Sequence, residues 1–147
     1  MLSRAPHRKV RGNTLVEFAL GWTLLWGLFS GTYQFGYAMF LFDTLETAVA
    51  SGAAFAARTD FLSLNTAAYT NQVKNMVVYG SASGGARPVV PNLTTSNVSV
   101  TWKTDAKGVP LNVTVRIVNY QITTLFKNFL LINKPACTMR YSGIFIS

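Results

Sequence analysis

Glu17 is the one charged side chain between Arg11 and Asp43, and it sits five residues after Gly12 at the start of an apolar run. An ionisable group kept at the mouth of a membrane-spanning helix is expensive, so it reads as functional, with a cation as its natural partner. The bland alternative is an interfacial carboxylate held by water and by the helix N-terminal dipole. Other reactive side chains are few. His7, the only histidine, falls in a basic leader with Arg4, Arg8, Lys9 and Arg11. Cys137 is the only cysteine, so no intramolecular disulfide can form, and its alternating neighbours make it a buried free thiol. Asp43, Glu46, Asp60 and Asp105 lie singly. They offer no carboxylate pair, metal-ligand spacing or nucleophile with its base. The expectation is therefore a protein that is not an enzyme and has no metal, no cofactor and no small-molecule substrate.

The element that must carry Glu17 is a long helix. From Phe18 to Phe42 there is no charge, and a helix of that length reaches roughly 38 Å, enough to cross a hydrocarbon core of about 30 Å with some tilt. Gly21, Gly27, Gly31 and Gly36 punctuate the run between aromatic rings, and small residues of this kind let neighbouring helices approach closely. Beyond Phe42 the pattern becomes wetter without a stop. Leu45, Ala48, Val49, Gly52, Ala53 and Ala56 recur at steps of three and four, a stripe that continues the helix to about Arg58 as a stalk packed on an outer domain or a neighbouring subunit.

Residues 59–147 are long enough for one small core. A second helix is expected from Asn65 to Tyr79, capped by Asn65, ended by Gly80 and facing inward through Tyr69, Val73, Met76 and Val77. Glycine and proline then mark residues 80–96 as loop. Val98, Val100 and Trp102, followed after Asp105-Ala106-Lys107-Gly108 by Leu111, Val113, Val115 and Ile117, alternate with polar residues as a hairpin does. Tyr120 to Asn133 is open between helix, through Ile122, Leu125, Phe126 and Phe129, and strand. Cys137, Met139 and Tyr141 mark a last strand. The fold class is α+β: a long N-terminal transmembrane and stalk helix, then a small domain with an antiparallel sheet and one or two helices.

Net charge is +8, and four of the basic residues lie before Gly12, so without them it falls to +4. The basic character belongs largely to the leader, and no nucleic-acid partner is expected. Lys and Arg flanking the first span stay in the cytoplasm, which puts residues 43–147 outside. Asn92, Asn97 and Asn112 each open an N-x-[ST] triplet, as strands rich in Asn, Thr and Ser do by chance.

The string Arg11-Gly12-Asn13-Thr14-Leu15-Val16-Glu17-Phe18-Ala19-Leu20 resembles the processing region of type IV pilin-like precursors. It looks most like that of the TadE-like minor pseudopilins of the tight-adherence, or Flp-type, pilus machinery. Tyr33-Gln34-Phe35-Gly36 and the small-residue block from Ala50 to Ala57 extend the likeness, with Ala50 and Ala54 where such proteins usually bear arginines. The resemblance implies that residues 1–12 are a leader removed by a prepilin peptidase between Gly12 and Asn13, with Arg11 and Phe18 inside the peptidase motif. It also implies an assembly role for Glu17, packing against other pilin or pseudopilin subunits and an inner-membrane platform, and a periplasmic outer domain. The alternative is an uncleaved single-pass protein whose outer domain is a surface binding module. Conventional cleavage near Ala54-Phe55-Ala56 is disfavoured, since the apolar run is too long and ends too early.

Overall fold

In this computed structural model, residues 11–62, 65–124 and 127–146 are described. The chain divides into two compact units, Met1–Gly36 and Tyr37–Ser147. Helix α1 (Arg11–Arg58) runs without a break, because nothing in it, proline above all, removes a backbone donor. Its residues from Tyr37 onward belong to the second unit. There the expected stripe turns inward: Leu45, Val49, Gly52, Ala53 and Ala56 are buried and Ala48 half-buried, and with Leu41 they form one wall of the core.

Helix α2 (Thr66–Tyr79) matches its sequence signals. The Asn65 side chain accepts a hydrogen bond from the Ala68 N–H at 3.1 Å, and Gly80 closes the helix at φ 70°, a left-handed conformation that costs glycine little. Tyr69, Val73, Val77 and Val78 are buried, while Met76 is half-buried. α2 lies tightly on α1 at Gly52, where an added Cβ would overlap a Val77 methyl.

Strands β2 (Val98–Thr104) and β3 (Pro110–Ile117) form the expected hairpin, and β6 (Ala136–Arg140) pairs antiparallel with the far side of β3. Val113, Val115 and Ile117 are buried. Leu111, expected on the same face, is 49% exposed, because the register shifts between Lys103 and Thr104 and the alternation loses phase at that end. The Asp105 carboxylate closes the turn by accepting from the N–H groups of Lys107 and Val109, and Gly108 sits at φ 80°. The ambiguous stretch is a second hairpin of β4 (Tyr120–Thr123) and β5 (Asn128–Leu131), joined antiparallel with Tyr120 opposite Leu131. Leu125 and Phe126, two residues of the helix alternative, lie outside the described residues. A parallel pair, β1 (Phe61–Leu62) with β7 (Phe145–Ile146), has no local sequence signal. Among the described residues the architecture is α+β, with one antiparallel three-stranded sheet, two short strand pairs, two α-helices and a turn of 3-10 helix at Thr95–Asn97.

An aromatic knot fastens the end of α1 to the C-terminus. Phe61 stands edge-on to Tyr69, Trp102 and Tyr141, with ring centroids 5.1, 5.2 and 6.5 Å away. The Tyr69 hydroxyl donates to the Ala56 carbonyl at 2.6 Å. The Tyr141 hydroxyl accepts from the Phe61 N–H at 2.8 Å and has the carbonyls of Ile144 and Thr59, at 2.7 and 3.0 Å, in reach of its one proton. Burial, then the neighbouring Tyr141, raises the Tyr69 phenol well above its ordinary pKa of 10.0. Burial likewise raises Tyr120 and Tyr141, the Phe61 N–H acting against it at Tyr141.

Two predictions follow from this packing. Alanine in a helix gains about 1 kcal/mol over glycine, but overlap in a filled core costs roughly 1–3 kcal/mol. Because Val77 is fully buried and β-branched, Gly52→Ala is expected to lower the thermal midpoint of the full chain in detergent, followed by circular dichroism. The second concerns alkali. The folded state holds the Tyr69, Tyr120 and Tyr141 protons above their unfolded pKa of 10.0, so the stability they contribute is complete below about pH 10 and is lost as pH rises further. Melting curves from pH 8 to 12 should show this decline, and Tyr69→Phe, which forfeits its hydrogen bond at about 1 kcal/mol, should flatten it.

Candidate processing and assembly site

The residues singled out by the sequence all lie on the first part of α1. Arg11 opens the helix, so the Gly12–Asn13 peptide falls in its first turn. That turn has no intrahelical acceptors for its N–H groups, and a helical glycine carries a penalty of roughly 0.5–1 kcal/mol relative to alanine. Unwinding this turn into an extended strand is therefore cheap. Glu17 lies one turn further on, about 6 Å along the axis from Asn13, and is exposed. Between Gly12 and Arg58 the helix contains no Lys or Arg, so no basic residue of α1 lies within a turn of Glu17. Phe18 is exposed and stacks along the helix on Trp22, with ring centroids 6.3 Å apart.

From Asn13 to Tyr33 every side chain is exposed apart from half-buried Ser30. A helical stretch of this length measures about 31 Å, and α1 is long and apolar enough to cross a membrane. Two of its hydroxyls bond back to the helix: those of Thr23 and Thr32 donate to the carbonyls of Ala19 and Leu28 at 2.8 and 2.9 Å, as suits a polar group in an apolar stretch. Gly21, Gly27, Gly31 and Gly36 have nothing within 4 Å of where a Cβ would stand. Gly27 and Gly31, four residues apart, share one face and leave a shallow notch that another helix backbone could enter. Gln34, which stands just past this stretch, is buried.

The structure thus places Gly12, Asn13, Glu17 and Phe18 on one short helical segment and the four glycines along the same helix. Among the described residues, no group of three or more His, Cys, Asp and Glu could hold a metal ion. Cys137 is a free, half-buried thiol. The Asn97 amide is committed to the fold: it donates to the carbonyls of Val118 and Asn119 at 3.3 and 3.0 Å and accepts from the Thr94 N–H at 3.1 Å. Two features escaped the sequence reading. One is the approach of Tyr37 to Tyr120, where the neighbouring phenol adds to burial in raising the Tyr120 pKa. The other is the exposed apolar edge at Phe129, Leu130 and Ile132, for which the unbroken run Phe129-Leu130-Leu131-Ile132 was the available signal. No protein-family model, curated protein or solved structure matches the chain.

Proposed function

We propose that this chain is a minor pilin-like subunit, a TadE-like pseudopilin, cut after Gly12 by a prepilin-type peptidase and acting in the assembly or priming of a tight-adherence pilus at the bacterial inner membrane. What carries the reading is one coincidence: a basic leader, Gly12 and Glu17 at the required spacing, and an unbroken apolar helix behind them that continues into the outer unit. Each part has a physical task. The leader holds the junction at the anionic cytoplasmic surface. Gly12, without a side chain, enters a narrow peptidase cleft in φ values other residues avoid. Hydrolysis of the Gly12–Asn13 amide adds water across it, leaving a carboxylate on Gly12 and an ammonium on Asn13.

That ammonium gives Glu17 its counter-ion. A lone carboxylate in lipid costs as much as a few kcal/mol near the centre of the bilayer and less near its surface. The Asn13 ammonium of a neighbouring subunit, one turn deeper in the stack, offsets the cost and fixes the axial register between helices. The open faces at Gly21, Gly27, Gly31 and Gly36 let those helices come close. No chemistry on a substrate is required of the chain.

The first test is the N-terminal residue of the membrane-extracted protein, by mass spectrometry, from cells with and without their prepilin-type peptidase. The expected result is Asn13 only when the peptidase is present; Met1 in both would return the chain to the uncleaved single-pass reading. The second test separates processing from register. Glu17→Ala should still begin at Asn13 yet co-purify with its partner subunits in much reduced amount, whereas normal assembly would end the register hypothesis.

A further inference from the structure

The ladders of the three-stranded sheet set its polar side chains in rows, because residues directly opposite one another across antiparallel strands share a face. On β3, Val113 and Val115 are fully buried, so the residues alternating with them, Asn112, Thr114 and Arg116, stand on the side away from the core. Asn112 lies between Lys103 of β2 and Arg140 of β6, and Thr114 between Thr101 and Thr138. Arg116 has only the small side chains of Ser99 and Ala136 beside it. The register shift at the end of β2 comes after Lys103 and leaves that residue in its row. All of these positions belong to the unit Tyr37–Ser147.

Three cations therefore share one face. Lys103 and Arg140 are exposed, as are Thr101 and Thr138. Strands β2, β3 and β6 contain no Asp or Glu, and the nearest carboxylate along the chain, that of Asp105, is committed to its turn. Arg116 is half-buried, and its Nε is enclosed with no hydrogen-bond partner among the described residues. A guanidinium donates best to a carboxylate through two parallel bonds. A donor left unpaired carries a cost that such an anion removes once the side chain lifts to meet it.

Spacing and chemistry select among anionic partners. Lys103 and Arg140 stand two strands apart, about 10 Å, and Arg116 lies four residues along from the row of Arg140, roughly 13 Å, which suits a chain bearing anions at intervals rather than one small anion. No aromatic residue shares these rows, so the bases of a single-stranded nucleic acid find nothing to stack on, and no large apolar side chain is there to anchor a protein interface. Hydroxyls fill the middle row instead. The Oγ1 atoms of Thr114 and Thr138 share one hydrogen bond at 2.8 Å, which leaves the second hydroxyl proton free to donate outward. We propose that this sheet face binds an acidic polysaccharide, with Lys103, Arg116 and Arg140 on the carboxylates of the sugar chain and the threonine row on its hydroxyls. The proposal goes beyond the assembly role and stands whether or not the Gly12–Asn13 peptide is cut.

The test uses the full chain in detergent micelles and measures its Kd for polygalacturonate, with dextran as the neutral sugar polymer and polyglutamate and polydeoxythymidylate as polyanions of two other kinds. The expected result is binding of polygalacturonate that weakens with added salt, none of dextran, and weaker binding of the other two polyanions. Lys103→Gln with Arg116→Gln and Arg140→Gln should weaken it by roughly tenfold or more. Removing as much charge elsewhere, by Lys74→Gln, Arg87→Gln and Lys127→Gln, should change it little. Should the chain with Arg116→Gln fail to fold by circular dichroism, Lys103→Gln with Arg140→Gln, both at exposed positions, carries the same comparison. Equal losses in the two sets of variants, or no binding of polygalacturonate at low salt, overturn the site. Polyglutamate bound as tightly or more tightly overturns the polysaccharide in favour of an acidic polypeptide, and polydeoxythymidylate bound as tightly or more tightly overturns it in favour of a nucleic acid.

Discussion

A helix long and apolar enough to cross a membrane has to satisfy its own backbone hydrogen bonds, and α1 is helical without interruption from Arg11 to Arg58. The rest of the chain depends on that constraint. Because the helix does not break where its composition turns polar, its second half serves the second unit as a wall of the core, where Leu41, Leu45, Val49, Ala53 and Ala56 are all buried. The strands and α2 assemble on a surface that already exists, so residues 59–147 need not supply an entire core by themselves. A free-standing domain of that size would be marginal; one that borrows two turns or more of rigid helix gains apolar contact without the entropy of ordering another segment.

The same residue type serves two ends along this helix. Gly52 is used up internally, because α2 approaches so closely that an added Cβ would overlap Val77. Gly21, Gly27, Gly31 and Gly36 face open space, so their lack of a side chain benefits nothing within the chain. Isolated glycine weakens a helix by about 1 kcal/mol relative to alanine. Four such costs without an internal return suit a helix whose packing partners come from outside, whereas the cost at Gly52 is recovered by the fit of α1 to α2.

How much could be read from the sequence follows from how local each signal is. Asn65 and Gly80 mark α2 through bonds within a few residues of themselves, and the β2–β3 hairpin is written in its own alternation and in the Asp105–Gly108 turn. The stripe from Leu45 to Ala56 announces burial in the same local way. What was missed depends on distant partners. The β1–β7 pair joins residues over 80 positions apart and is two residues long, too short to show a period. The run Phe129-Leu130-Leu131-Ile132 has no alternation because both its faces are apolar, one toward the core and one away, and this left Tyr120–Asn133 undecided between helix and strand. At the candidate site, the identity and spacing of Gly12 and Glu17 were fully legible. That the Gly12–Asn13 peptide lies in a helical turn was not.

That helical turn bears on the proposed mechanism. A peptidase needs an extended scissile segment, while a packed subunit needs a helix that begins at its new N-terminus. Both demands can be met by one sequence if the first turn is weak before cleavage and strong after it. Before cleavage, Gly12 loosens the turn and Arg11 adds a positive charge beside the positive end of the helix dipole. After cleavage the glycine and the leader cations are gone, and the Asn13 ammonium, itself unfavourable at that end of the dipole, stands near Glu17, whose carboxylate is favourable there. Processing on this view changes the electrostatics of the helix end as well as its length. On the same proposal, Glu17 is mismatched to lipid in the precursor and is matched when the Asn13 ammonium of a neighbouring subunit meets it.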